Sequence, residues 1–128
     1  MTDCNIEITE EGIRKVENYL KSYKFCRRLI MLNNYEKKYF DTLEWESEIP
    51  AEFSLAHAKM FEVRHFIVGM DNSNEKLLLY YHYVHCDTVE QCAELMGISR
   101  SSAFRLKKKA LEKAYAYAVR EGKTLIAF

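Results

Sequence analysis

The sequence predicts an all-α fold: a helical domain that ends in a helix-turn-helix and is preceded by a long N-terminal helix. Three observations carry that prediction. Only one proline and four glycines interrupt 128 residues, too few breakers for a strand-and-turn architecture. Apolar residues recur at steps of three and four from Ile13 to Ile30. Between residues 87 and 99, two cap signals flank a glycine, the order in which one short helix turns into the next.

The first helix opens at "ITEEGIRKVENYL". Thr9 is its expected N-cap, and Glu10 and Glu11 suit the positive end of the helix dipole. Ile13, Val16, Leu20, Tyr23 and Ile30 form the apolar stripe, widened by Tyr19, Cys26 and Leu29, and the pattern runs to about residue 40. A lone helix that long packs along the rest of the chain or pairs with a second copy. "EWESEIPAEF", with the only proline at Pro50, reads as a linker or as the turn before a second helix. A second helix is expected over 54–69, with Leu55, Ala58, Phe61, Val63, Phe66 and Ile67 as its apolar positions. "GMDNSNE" stops it with residues that favour caps and turns. The apolar run "KLLLYYHYV", 76–84, suits a buried strand by composition, but its place just before two helices selects a third helix. The fourth covers 88–96, with Asp87 or Thr88 as cap and Glu90 in its first turn. Gly97 forms a left-handed corner, and Ser99 caps a fifth helix that reaches about 120. The apolar tail "GKTLIAF" either packs back on the core or extends a dimer contact. The expected division is 1–50 for packing or oligomerisation and 51–128 for DNA binding, with the helix-turn-helix at about 88–113.

Composition narrows the class. No stretch approaches the roughly 20 apolar residues of a membrane span. The polar, acidic "MTDCNIEITEEG" is unlike a signal peptide, so a soluble, cytoplasmic protein is expected, with no membrane partner. Cys4, Cys26, Cys86 and Cys92 show no paired spacing and read as free thiols. The formal charge is zero overall but unevenly placed. Residues 88–128 hold eight Lys/Arg against four Asp/Glu, a net of +4, and residues 1–87 hold eleven against fifteen, a net of −4. A basic C-terminal part suits a polyanion.

The charge concentrates in "LMGISRSSAFRLKKKA". Ala93 lies four residues before Gly97, where a larger side chain would push the two helices apart, and Cys92, Met96, Ile98, Ala103 and Leu106 are the expected small core. Between them the fifth helix presents Arg100, Ser101, Ser102, Arg105, Lys108 and Lys109 to solvent. Arg100 and Arg105 supply paired donors for a guanine edge. Ser101 and Ser102 let the backbone come close, and Lys107, Lys108 and Lys109 suit phosphates. These residues form the expected site for double-stranded DNA.

The stretch "LLLYYHYVHCDTVEQCAELMGISRSSAFRLKKKALEKAYAYA" resembles region 4 of bacterial sigma-70 factors, and more closely the ArpU-type late-gene regulators of phages and prophages. The resemblance covers about residues 54–118 and is most specific over "ISRSSAFRLKKKALEKA". In that family a serine opens the recognition helix and an aromatic precedes a basic stretch, here Ser99, Phe104 and Arg105 to Lys109. The resemblance implies a helical, promoter-proximal regulator that activates phage transcription and recruits host RNA polymerase. The chain departs from sigma region 4 at Tyr81-His82-Tyr83 and at Gln91-Cys92-Ala93, and its first helix carries no sigma region 2 pattern. A homodimer is expected, because one small module binds weakly and two span paired half-sites.

Other constellations are weaker. His82, His85, Cys86 and Cys92 match no zinc spacing. His57 and His65 share a helix face without a nucleophile, and no phosphate loop or carboxylate pair appears. Neither an enzyme activity nor a cofactor is expected. Two rival classes are a DNA-packaging adaptor of the small-terminase kind and a protein-interaction module that inhibits a host nucleic-acid enzyme. The aromatics in "YLKSYKFCRRLIMLNNYEKKYF" read as core rather than as a base-stacking platform.

Overall fold

The computed structural model describes residues 7–39 and 51–128, which form helices joined by short turns and contain no strand. The order is α1 (Glu10–Tyr39), α2 (Ala51–Val68), α3 (Asn74–Leu79) running into a π turn (Tyr80–Val84), α4 (Val89–Met96) and α5 (Arg100–Arg120). Of the expected linker "EWESEIPAEF", residues 51–53 instead begin α2, three residues before the expected 54, and the rest lies outside the described residues, as does Cys4.

Local chemistry explains where the helices begin. Thr9 Oγ1 accepts the Gly12 N–H at 2.9 Å, and Glu10 and Glu11 occupy the first turn of α1. Ser73 caps α3 by accepting the Lys76 N–H at 3.3 Å. The single helix expected over 76–84 is α-helical only to Leu79. It then widens, the His85 N–H reaching the Tyr80 carbonyl five residues back. The buried residues give the reason. Leu78 and Leu79 are buried, and so are Tyr83 and Val84 five positions later. In an α-helix, residues five apart point different ways, whereas a π turn returns both pairs to one side. Cys86, at φ 64°, turns the chain out of this element, and the Asp87 N–H closes the turn on the Tyr81 carbonyl.

One core joins all the helices. It contains Val16, Tyr19, Leu20 and Tyr23 of α1, and Val63, Phe66 and Ile67 of α2. Leu78 and Leu79 of α3, Tyr83 and Val84 of the π turn, Cys92 of α4, and Ala110, Leu111, Ala114 and Ala118 of α5 complete it. α1 therefore packs into the same interior as the residues after 51, most heavily against α2 and also against α5. Gly12 makes that approach close: a Cβ built there would stand 2.5 Å from the Tyr115 ring.

The outward face of α2 corrects the expected apolar stripe. Val63, Phe66 and Ile67 are buried, joined by Ala56, whereas Leu55, Ala58 and Phe61 face solvent, Leu55 with 61% of its surface exposed. Of the aromatics expected as core in α1, Tyr19 and Tyr23 are buried and Phe25 is exposed. The tail packs back: Leu125 is buried, the Phe128 N–H donates to Ser22 Oγ at 2.8 Å, and Lys59 Nζ donates to the Ile126 carbonyl at 2.8 Å. No described helix is long and apolar enough to cross a membrane.

Candidate nucleic-acid interface

α4, its corner and the first half of α5 are fixed by hydrogen bonds that the local sequence supplies. Thr88 caps α4, Oγ1 accepting the Gln91 N–H at 3.1 Å, and Gln91 Oε1 accepts the Thr88 N–H at 2.8 Å. Gln91 thus completes the capping box, and Glu90 stands free of it for another role. Gly97 takes φ 68° and ψ 34°, and the Ile98 N–H reaches back to the Ala93 carbonyl at 3.0 Å, which closes the end of α4. Ser99 then accepts the Ser102 N–H at 3.1 Å and starts α5.

Beneath the corner, Val89, Ala93 and Ala103 are buried as a small separate cluster, with Ile98 packed against it. Ala93 and Ala103 leave no side-chain bulk between the helices. Three residues expected in this small core belong to the main one instead: Cys92 is buried in it, and Met96 and Leu106 pack against its edge. Burial pushes the Cys92 thiol up, as it does Cys26, so both stay protonated and apolar.

The nine residues expected to face DNA divide by what holds them. Ser99, Ser102 and Arg105 form a chain along α5, Ser99 Oγ 2.9 Å from Ser102 Oγ and Arg105 Nη2 donating to Ser102 Oγ at 3.2 Å. Arg100 is braced across the corner, with Nη2 3.0 Å from Glu90 Oε2 and its guanidinium 5.7 Å from the centre of the Phe104 ring. Phe104 is 45% exposed and offers an apolar edge beside that cation. Ser101, Lys108 and Lys109 are exposed. Among the described residues, Arg105, Lys108 and Lys109 make no ion pair. Lys107 differs: it is half-buried and its Nζ lies 3.4 Å from Glu17 of α1. Glu17 also accepts the Tyr83 hydroxyl at 3.0 Å. Burial alone would raise its carboxyl, but Tyr83, Lys107 and Lys21 outweigh that and hold it below the ordinary range.

The pairing of Glu90 with Arg100, and the residues Glu17 and Leu95, are what sequence reasoning passed over here. Glu90 and Arg100 carry opposite charges on either side of the corner, a signal the sequence does contain. Glu17 is ninety positions from Lys107, beyond any local pattern. Leu95, 60% exposed on α4, carries no cue that it faces outward.

The other chemistry-bearing groups do not converge. His82 Nδ1–H donates to the Asp87 carbonyl at 2.7 Å, and Cys86 Sγ lies 3.6 Å from Arg27 Nη1. Among the described residues no three His, Cys, Asp or Glu side chains gather as a metal site would require. His57 and His65 are both exposed on α2, where His65 packs its ring against Phe61 at 4.1 Å.

Compared with known proteins, the chain matches no family model, no curated protein and no solved structure.

Proposed function

We propose that the chain is a sequence-specific DNA-binding transcriptional regulator, a sigma-like activator of phage or prophage genes that enters the major groove with α5 of a helix-turn-helix. The observation that carries this reading is the face of α5. Arg105, Lys108 and Lys109 stand exposed and unpaired among the described residues, on a helix whose start is set by the Gly97 corner and the Ser99 cap. Three cations left without internal counter-ions favour a polyanion outside the chain. The likeness of residues 54–118 to sigma region 4 supplies the regulatory role and recruitment of host RNA polymerase as the proposed mechanism.

Each residue's surroundings suggest its part. Arg105, steadied by Ser102, is the base reader. Arg100 exchanges or shares its Glu90 contact with DNA, and Phe104 meets a thymine methyl. Lys108 and Lys109 contact phosphates. Lys107, held by Glu17, ties the recognition helix to α1 and contributes less to binding. The outward row Leu55, Ala58, Phe61 and Val68 on α2 supports a homodimer that would bring two recognition helices to paired half-sites.

Fluorescence anisotropy with random and selected duplexes tests this. Arg105→Ala is expected to cost about 1–3 kcal/mol on the preferred duplex and to flatten base preference, whereas Lys108→Ala weakens all duplexes alike and lowers the salt slope by about 1. Identical affinity of both variants and the parent for every duplex rules the reading out. A ring-sized mass in light scattering would point instead to a DNA-packaging adaptor.

A further inference from the structure

A groove of about 660 Å³ runs between the second half of α1 and the π turn with the start of α4. Lys21, Lys24, Phe25, Arg28, Leu29 and Leu32 form one wall, with His82, Tyr83 and Cys86 to Thr88 opposite. Lys21, Phe25, Arg28 and Leu32 are spaced by four, three and four, so they share one side of α1. That row alternates cation and apolar group over twelve residues, roughly 17 Å of helix. Phe25 is 47% and Leu32 53% exposed, large apolar surface for a solvent-facing side. None of the three cations makes a hydrogen bond or ion pair with a described residue, although Lys21 feels Glu17 one turn earlier. Among the described residues, Asp87 is the one acidic group lining the groove.

We propose that this groove docks an acidic amphipathic helix of a partner protein. Charge complementarity selects the occupant. Three cations spread along about two turns, with Phe25, Leu29 and Leu32 beside them, match a helix whose Leu or Phe residues fill the floor and whose Asp or Glu residues flank it. A single small anion would answer one or two of the cations and leave the apolar row open. A DNA backbone would leave Phe25 and Leu32 against water. The site is separate from the exposed face of α5, and the proposal stands whether or not that face binds DNA.

Two synthetic peptides of about a dozen residues test it, with the same Leu/Phe spacing and either Glu or Lys on the flanks; a short duplex and dodecanoate serve as competitors. The Glu peptide is expected to bind saturably, at least about tenfold tighter than the Lys peptide, and to shift the NMR amide signals of residues 21–32 and 82–88. Leu32→Glu and the pair Lys24→Glu/Arg28→Glu should each weaken it at least about tenfold with an unchanged thermal melt. Duplex affinity of the charge-reversed pair should stay within about twofold of the parent's. The proposal is overturned if the two peptides bind alike, if the shifted signals lie elsewhere, or if either variant binds the Glu peptide as the parent does. Displacement by dodecanoate at micromolar concentration would reassign the groove to a small amphiphile. Loss of duplex binding in the charge-reversed pair would reassign it to nucleic acid, and concentration-dependent shifts of the protein alone to a second copy.

Discussion

His82 joins the π turn to the loop before α4 through its bond to the Asp87 carbonyl. Burial disfavours its charged form, and Lys107 and Lys24 add to that, while the Asp87 carbonyl and Glu17 oppose it; the net shift is below the ordinary 6.5. The unfolded chain therefore takes up this proton more readily than the folded one. The stability that His82 contributes is complete above about pH 6.5 and is lost as the pH falls through and below that value. Urea midpoints measured from pH 7.5 down to 5 should fall, and His82→Gln should flatten that part of the curve. A parent midpoint that rises as the pH is lowered would contradict the assignment. Gly97 is a second residue whose role is separable. A Cβ there meets nothing within 4 Å, so the cost of Gly97→Ala comes from its positive φ alone, about 1 kcal/mol. Gly97→Asn should lose less, since asparagine tolerates that region better. Equal melting temperatures for parent, Ala and Asn forms would remove the left-handed corner from the account.

Between helices the critical contact is at Gly12, where α1 meets Tyr115 of α5. Gly12→Val should cost about 1–3 kcal/mol by forcing that ring away, with Tyr115→Ala partly rescuing it; thermal melts of the single and double variants check the coupling. The starts of α1, α4 and α5 were legible in the sequence because capping is settled within three or four residues, whereas α2 and α3 begin ahead of the expected 54 and 76, at Ala51 and Asn74. Thr9, Thr88, Gly97 and Ser99 each do the job their position suggested. The faces of α2 were not. Its apolar residues surround the helix, so periodicity gives no means of deciding that Ala56 and Val63 point inward while Leu55 and Phe61 point out. The π turn was equally hidden, because its cause is a shared interior formed with α1 and α5 rather than anything within "YYHYV".

For the molecule as a whole, the candidate site was legible as a list of residues but not as a set of tethers. The exposed cations on α5 follow from helical spacing, whereas the pairing of Lys107 with Glu17, and of Lys113 with Glu75 of α3 at 3.0 Å, depends on how distant segments meet. These ties make α5 continuous with the body of the protein. The apolar row on α2 sets the expectation for assembly. Phe61→Glu should convert a dimer to a monomer in sedimentation experiments and weaken binding to a two-site duplex while leaving a single half-site unaffected. A parent that sediments as a monomer at all concentrations would exclude pairing through α2.

The π turn has a genetic consequence. It holds one residue more than the α-helical turn it replaces, so deleting a single codon within 80–84 would restore ordinary winding without opening a gap in the backbone. Because the π turn closes one turn with that extra residue, everything downstream would keep nearly the same phase. A one-residue indel here is thus a change the chain can absorb while α4 and α5 keep their aim against the same α1–α2 platform.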